Sequence, residues 1–252
     1  MNNLELERLL NRQLNVEAIK DYCPNGLQVE GKSEVCHIVT GVTASQALVD
    51  HAVALGADAL LVHHGYFWKG ENERIRGMKR RRLKTLLCHD INLYAYHLPL
   101  DIAPGVGNNA QLASLLGIRT TGPLEPGNAL SVAMQGVLDD PLSGVQLAER
   151  LQQRLERPVL HVGEAGPALI HRVGFCTGGG QGFIELAAEQ GVDAFISGEV
   201  SEQTVHVARE LGLHFFAAGH HATERYGIKA LGEWLAAEHG LRVSFADIDN
   251  PA

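Results

Sequence analysis

A seven-residue pattern that occurs twice constrains this chain more than any other feature. Gly56-Ala57-Asp58-Ala59-Leu60-Leu61-Val62 overlays Gly191-Val192-Asp193-Ala194-Phe195-Ile196-Ser197. Each copy is a short apolar run without polar alternation, the pattern of a strand covered on both faces. Each follows a helical stretch stopped by glycine: Ser45 to Leu55 before Gly56, and Phe183 to Gln190 before Gly191. Each helix follows another strand-like run, His37 to Gly41 or Arg172 to Thr177. Strand–helix–strand units of this kind pair their strands in parallel. The spacing therefore predicts an α/β protein built by a degenerate internal duplication, with largely parallel sheets flanked by helices.

The remaining segments extend this plan. Helices are predicted over residues 3–20, 78–89, 109–116, 145–155, 201–211 and 228–239, and strands over 91–96, 130–137, 159–162 and 213–218. Residues 27–31 read as loop or short strand. The organisation expected is a first α/β lobe over residues 1–122, an inserted β-α-β segment over 123–170, and a second α/β lobe over 171–252. The insert carries no cluster of metal-ligand residue types and is a candidate lid, selectivity element or subunit contact.

Ligands of open α/β sheets gather at the carboxyl ends of the strands, and there this chain concentrates imidazole and carboxylate. His63-His64 close one apolar run. His97 closes another and is followed four residues later by Asp101; His220-His221 close a third, with Glu224 four residues after His220. Four residues is about one helical turn, so His and acid can point at one ion. Under the overlay, Gly198-Glu199 takes the place of His63-His64. Two facing lobes would bring these strand ends into one cleft, which would then hold a polynuclear metal site. Imidazole and carboxylate suit Zn, Mn, Fe, Co or Ni. His37, His51, His89, His161, His171, His206, His214 and His239 sit in helix or strand bodies and are assigned packing or surface roles.

Other features are less specific. The net charge of −8 argues against bulk nucleic-acid binding. The four cysteines are scattered, with no Cys-x-x-Cys, as expected of thiols in a reducing cytoplasm. The amino terminus has no basic-then-apolar leader, and no apolar run approaches the ~18 residues of a membrane span. Thr177-Gly178-Gly179-Gly180-Gln181-Gly182 is either a phosphate cradle or a tight turn approaching the metal cleft. Residues 74–84 carry seven positive charges in eleven positions. They read as a solvated helix face, or as a patch attracting a phosphorylated substrate.

The motifs Asn25-Gly26-Leu27-Gln28-Val29, Thr40-Gly41-Val42-Thr43, Val62-His63-His64-Gly65, His97-Leu98-Pro99-Leu100-Asp101, Thr177-Gly178-Gly179-Gly180, Ser197-Gly198-Glu199 and Gly219-His220-His221-Ala222-Thr223-Glu224 together resemble the YbgI family. These are dinuclear-metal proteins described as type 2 homologues of GTP cyclohydrolase I. The resemblance implies two divalent ions per chain, held by His63, His64, Asp101, His220 and Glu224, with Glu224 bridging. His97 then becomes a neighbour of the site and, with Glu199, a candidate acid–base or supporting residue. It also implies a toroidal homohexamer. The function expected is a metal-dependent hydrolase acting on a nucleotide or purine-like substrate. The alternatives are a ring-opening cyclohydrolase and a non-catalytic metal-binding ring.

Overall fold

The computed structural model describes residues 1–252. In chain order the elements are α1 (Asn3–Gln13), β1 (Gly26–Val29), β2 (His37–Thr43), α2 (Gln46–Ala54), β3 (Ala59–His64), α3 (Gly77–Cys88), β4 (Asn92–Ala95), α4 (Leu98–Ile102), α5 (Asn108–Leu116), β5 (Ile118–Pro123), β6 (Met134–Leu142), α6 (Gly144–Leu155), β7 (Leu160–Val162), β8 (Ile170–Cys176), α7 (Ile184–Glu189), β9 (Ala194–Ser197), α8 (Glu202–Leu211), β10 (His214–Ala217), α9 (His220–His239) and β11 (Arg242–Phe245). They form two compact units, Met1–Gly107 with Gly227–Asp249, and Asn108–Tyr226 with Asn250–Ala252. These bounds differ from the three segments read in the sequence. The chain passes between units at residue 107 and again within α9, and hydrophobic periodicity alone cannot say which sheet a helix covers.

The first unit holds a five-stranded sheet of order β1-β4-β3-β2-β11. β2, β3, β4 and β11 run parallel, and β1 is antiparallel to β4. Alternate residues of each strand feed opposite faces. Ile38, Leu61 and Tyr94 pack under Leu6 and Leu10 of α1 and Leu231 and Leu235 of α9. Val39, Leu60 and Leu93 pack under Leu48, Val49 and Ala52 of α2 and Leu83 and Leu86 of α3. Burial on both faces is why these strands read as uninterrupted apolar runs.

The second unit holds a six-stranded sheet of order β5-β6-β8-β9-β10-β7. Its centre, β8-β9-β10, is parallel; β5, β6 and β7 add antiparallel flanks. Leu147, Leu151 and Leu155 of α6, one apolar stripe, pack with Leu112 and Leu116 of α5 against Phe175, Ile196 and Phe216. The segment 123–170 thus supplies strands and a covering helix to this unit.

The duplication is visible in hydrogen bonds. Asp58 Oδ2 accepts from the Cys36 and His37 N–H groups at 3.0 and 3.1 Å, and Asp193 Oδ2 accepts from His171 and Arg172 N–H at 2.8 and 2.7 Å. In return, Asp58 N–H donates to His37 O and Asp193 N–H to Arg172 O, at 2.9 and 2.8 Å. One aspartate per repeat thus fastens the start of its own strand to the start of the preceding one. Burial pushes the Asp58 carboxyl up, but the hydrogen bond from Lys32 and those from the two N–H groups outweigh it and hold its pKa below the ordinary value. Each substitution removes the acceptor of two backbone N–H groups, so Asp58→Ala and Asp193→Ala are each expected to cost about 1–3 kcal/mol. Urea midpoints measure this, and a loss under about 0.5 kcal/mol, the size of an ordinary surface change, would contradict it.

Candidate metal centre

In the first unit the carboxyl ends of β3 and β4 bring three imidazoles together. Ring centroids are 4.4 Å apart for His63–His64, 5.2 Å for His63–His97 and 5.8 Å for His64–His97. Ligand atoms of all three lie within 4.8 Å of one another. Asp101 is carried one turn beyond His97 by the short helix α4, and its Oδ1 stands 3.5 Å from His63 Nε2.

Each imidazole is oriented through the same nitrogen. His63 Nδ1 pairs with Tyr96 O at 2.9 Å, His64 Nδ1 with Thr43 Oγ1 at 3.2 Å, and His97 Nδ1 with Asp21 Oδ1 at 2.9 Å. This is how metal-binding histidines are held: Nδ1 is fixed by the protein and the Nε2 lone pair is presented.

Asp21 is the organiser that the sequence reading missed. Its two oxygens accept from His97 Nδ1, Tyr22 N–H, Asn25 Nδ2 and Leu98 N–H at 2.7–3.0 Å. Asn25 Oδ1 in turn accepts from His97 N–H at 2.7 Å. Burial raises the Asp21 pKa, but hydrogen bonds from His97 and Asn25 and the nearby His97 charge prevail and hold it at about 2. Cys23 lies near Asp21 and His97. Burial, then the Asp21 charge, pushes its thiol up to about 12.

In the second unit the carboxyl ends of β8, β9 and β10 contribute Gly178, Glu199 and His220. His220 Nδ1 pairs with Glu199 Oε1 at 2.7 Å, and its Nε2 stands 3.1 Å from Glu224 Oε2, one turn along α9. Hydrogen bonding to Glu224 raises the His220 pKa to about 9; burial opposes this, while the Glu224 charge and the bond to Glu199 add to it. Glu224 is 3% exposed. The helix begins at His220, two turns before the start at residue 228 expected from periodicity, and its first turn is what sets His220 and Glu224 side by side.

The glycine-rich stretch serves close approach. Gly178 has φ +63°, and a Cβ there would run into Glu224 Oε1. Its N–H donates to Thr223 Oγ1 at 3.0 Å, and its carbonyl accepts from Gly198 N–H at 2.9 Å.

The donor types of both units, imidazoles oriented through Nδ1 and neighbouring carboxylates, fit divalent transition metals. His221 is buried, and its backbone N–H donates to Ala252 O at 3.2 Å. Several of the other histidines have partners within the protein. His214 bonds His161 and Pro167 O, and His37 bonds Ser244. His206 has an exposed acidic partner, Glu202, one turn away, which the sequence reading did not credit. Arg74, Arg76, Arg80, Arg81 and Lys84 are exposed, whereas Lys79 pairs with Glu71 at 3.2 Å.

Comparison with known proteins identifies the family. The model of the family Duf34/NIF3 (NGG1p interacting factor 3) matches residues 1–251. A Haemophilus influenzae protein called GTP cyclohydrolase 1 type 2 homolog is 64% identical over 252 residues, covering all of both chains. A solved structure described as protein ybgI, of unknown function, matches with TM-score 0.97 and 63% identity, and the Thermus thermophilus protein TTHA1606 with TM-score 0.90 and 35% identity; each match covers 100% of both chains. The resemblance seen in the motifs is therefore a true relationship, and the chain belongs to the Duf34/NIF3 family.

Proposed function

We propose that this protein is a metal-dependent hydrolase in which His63, His64 and Asp101 of one unit and His220 and Glu224 of the other hold a pair of divalent transition-metal ions. The observation that carries the reading is the shared orientation of His63, His64 and His220, each fixed through Nδ1 by a protein partner. Five ligands shared between two ions leave coordination positions for water and substrate, as catalysis requires. When bound, the ions supply positive charge that polarises a substrate oxygen and makes water more acidic.

The chain's own residues do the rest. Glu199 holds the His220 ring and sets its tautomer. His97, steadied by Asp21, presents Nε2 among the other imidazoles and carries protons between water and the leaving group. The substrate class is a nucleotide or purine-like compound, supported by the name given to the relatives. Ring opening at a purine carbon is its narrower form. We place the protein in the cytoplasm as a toroidal homohexamer; no helix is long and apolar enough to cross a membrane.

Screening nucleotides with Mn, Fe or Zn supplied tests the reading. Turnover that falls about 10²–10³-fold in Glu224→Gln supports it; none with any metal, in protein shown to be metal-loaded, overturns it.

Asp21→Asn makes a second test. Asn offers one acceptor oxygen where Asp21 serves four donors, so the His97 ring loses its orientation. Turnover is expected to fall about 10- to 100-fold with metal content unchanged. Undiminished turnover would remove His97 from the mechanism. The ionised Asp21 also stabilises the fold, because its pKa is depressed from an ordinary ~3.9 to about 2. That contribution is complete above pH ~4 and is lost as the pH falls through about 2.

A further inference from the structure

We infer that Tyr22 and Trp68 form a stacking platform for the planar base of a purine-like ligand beside the imidazole cluster. The nature of the ligand rests on the proposed nucleotide chemistry; the platform rests on the geometry of the first unit. The Tyr22 and Trp68 ring centroids are 5.8 Å apart, with planes 38° from parallel. Both rings meet the His97 imidazole edge-on, at 4.9 Å and 73° for Tyr22 and 4.9 Å and 84° for Trp68. Trp68 also lies 6.0 Å from His64. Tyr22 is 53% exposed.

Two loops carry these rings, and the protein ties them together. The Gln28 amide accepts from Tyr66 N–H at 2.7 Å and donates to Tyr66 O and Pro24 O at 3.0 and 2.8 Å, joining the loop before β1 to the loop after β3. Gly65 is required there, because a Cβ would collide with the Gln28 amide. Lys69 N–H donates to Tyr22 O at 2.7 Å, closing the second tie. Trp68 is fixed by a turn in which its N–H donates to Glu71 Oε2 at 3.2 Å and its carbonyl accepts from Glu71 N–H at 2.9 Å.

Between Tyr66 and Trp68, Phe67 adopts φ +66°. A bulky side chain rarely enters that region, and such strain persists where the surroundings over-determine it, commonly at ligand sites. Here it lets Tyr66 turn inward, its hydroxyl donating to Ala44 O at 2.8 Å, while Trp68 turns toward His97. An exposed Tyr22 ring and a half-buried Trp68 ring, carried beside the imidazole cluster on loops tied to one another, provide what base stacking needs, an aromatic face with little ordering left to do.

The test reads binding and needs no turnover. The chain has two tryptophans, so in a Trp234→Phe background the fluorescence of metal-loaded protein reports Trp68 alone. Guanosine 5′-monophosphate and ribose 5-phosphate serve as probes. The expected result is saturable quenching by the nucleotide and none by the sugar phosphate, about 5- to 100-fold weaker in Tyr22→Ala and restored in Tyr22→Phe, with metal content constant. Equal responses to the two probes, no response to either, or unchanged affinity in Tyr22→Ala would each overturn the platform. Saturable base-dependent quenching without nucleotide hydrolysis would uphold the platform while the hydrolase reading fails. Hydrolysis indifferent to Tyr22→Ala would do the reverse.

Discussion

Glu224→Gln is expected to lower the metal content of the purified protein from close to two ions per chain to one or fewer, and to reduce turnover by about 10²–10³-fold, the range for removing one preorganised group that stabilises developing charge. The substitution keeps the shape of a side chain that is almost wholly buried, so a misfolded protein is not the expected cause. It removes the charge that a bridging carboxylate would place between two cations, and an amide is a far weaker ligand for them. Elemental analysis beside the His63→Ala/Glu224→Ala double variant, which should retain no stoichiometric metal, separates partial from complete loss. Two ions retained in Glu224→Gln would remove it from the ligand set.

Gly178→Ala is the second substitution with a large expected effect, and it acts without replacing any of the proposed ligand residues. The left-handed backbone at Gly178 costs a Cβ-bearing residue roughly 1–2 kcal/mol. The new methyl would also press on the Glu224 carboxylate and turn it away from His220 Nε2. Displacing a ligand's support costs about 10- to 100-fold in metal affinity. Competition against a chromophoric chelator would read this, and a thermal melt would read the backbone penalty separately. Wild-type affinity in Gly178→Ala would mean that the loop yields and that Glu224 is held by other contacts.

Much of the candidate site was legible because its residues sit where apolar runs stop. His63-His64, His97 and His220 each close a run that burial on both faces keeps free of polar residues, so each stands out. The companions of these residues were harder to see. Asp21 is one acid in a broken stretch, and its partners are 1 to 77 residues away, so no local spacing marks it. The first turns of α9 were hidden because the apolar stripe that packs into the first unit begins only at Ile228. Residues 3–20 look like one helix, yet α1 stops at Gln13, after which Asn15 enters the left-handed region and breaks the turn. β5 and β11 were overlooked for a shared reason. Both lie at sheet edges, where one side of the strand is unpaired and residues such as Arg119, Thr120 and Arg242 face solvent. Edge strands therefore lack the continuous apolar signature that betrayed the central ones.

The aspartate that begins each repeat has an evolutionary consequence. Asp58 and Asp193 anchor the amino ends of their strands, while ligand chemistry occupies the carboxyl ends, where His63-His64 in one copy correspond to Gly198-Glu199 in the other. Robustness and innovation are thus kept at opposite poles of the same element. Such a scaffold is evolvable: residues at the reactive pole can be exchanged, imidazole for carboxylate or glycine, while the anchoring pole preserves the architecture that lets each exchange be tried.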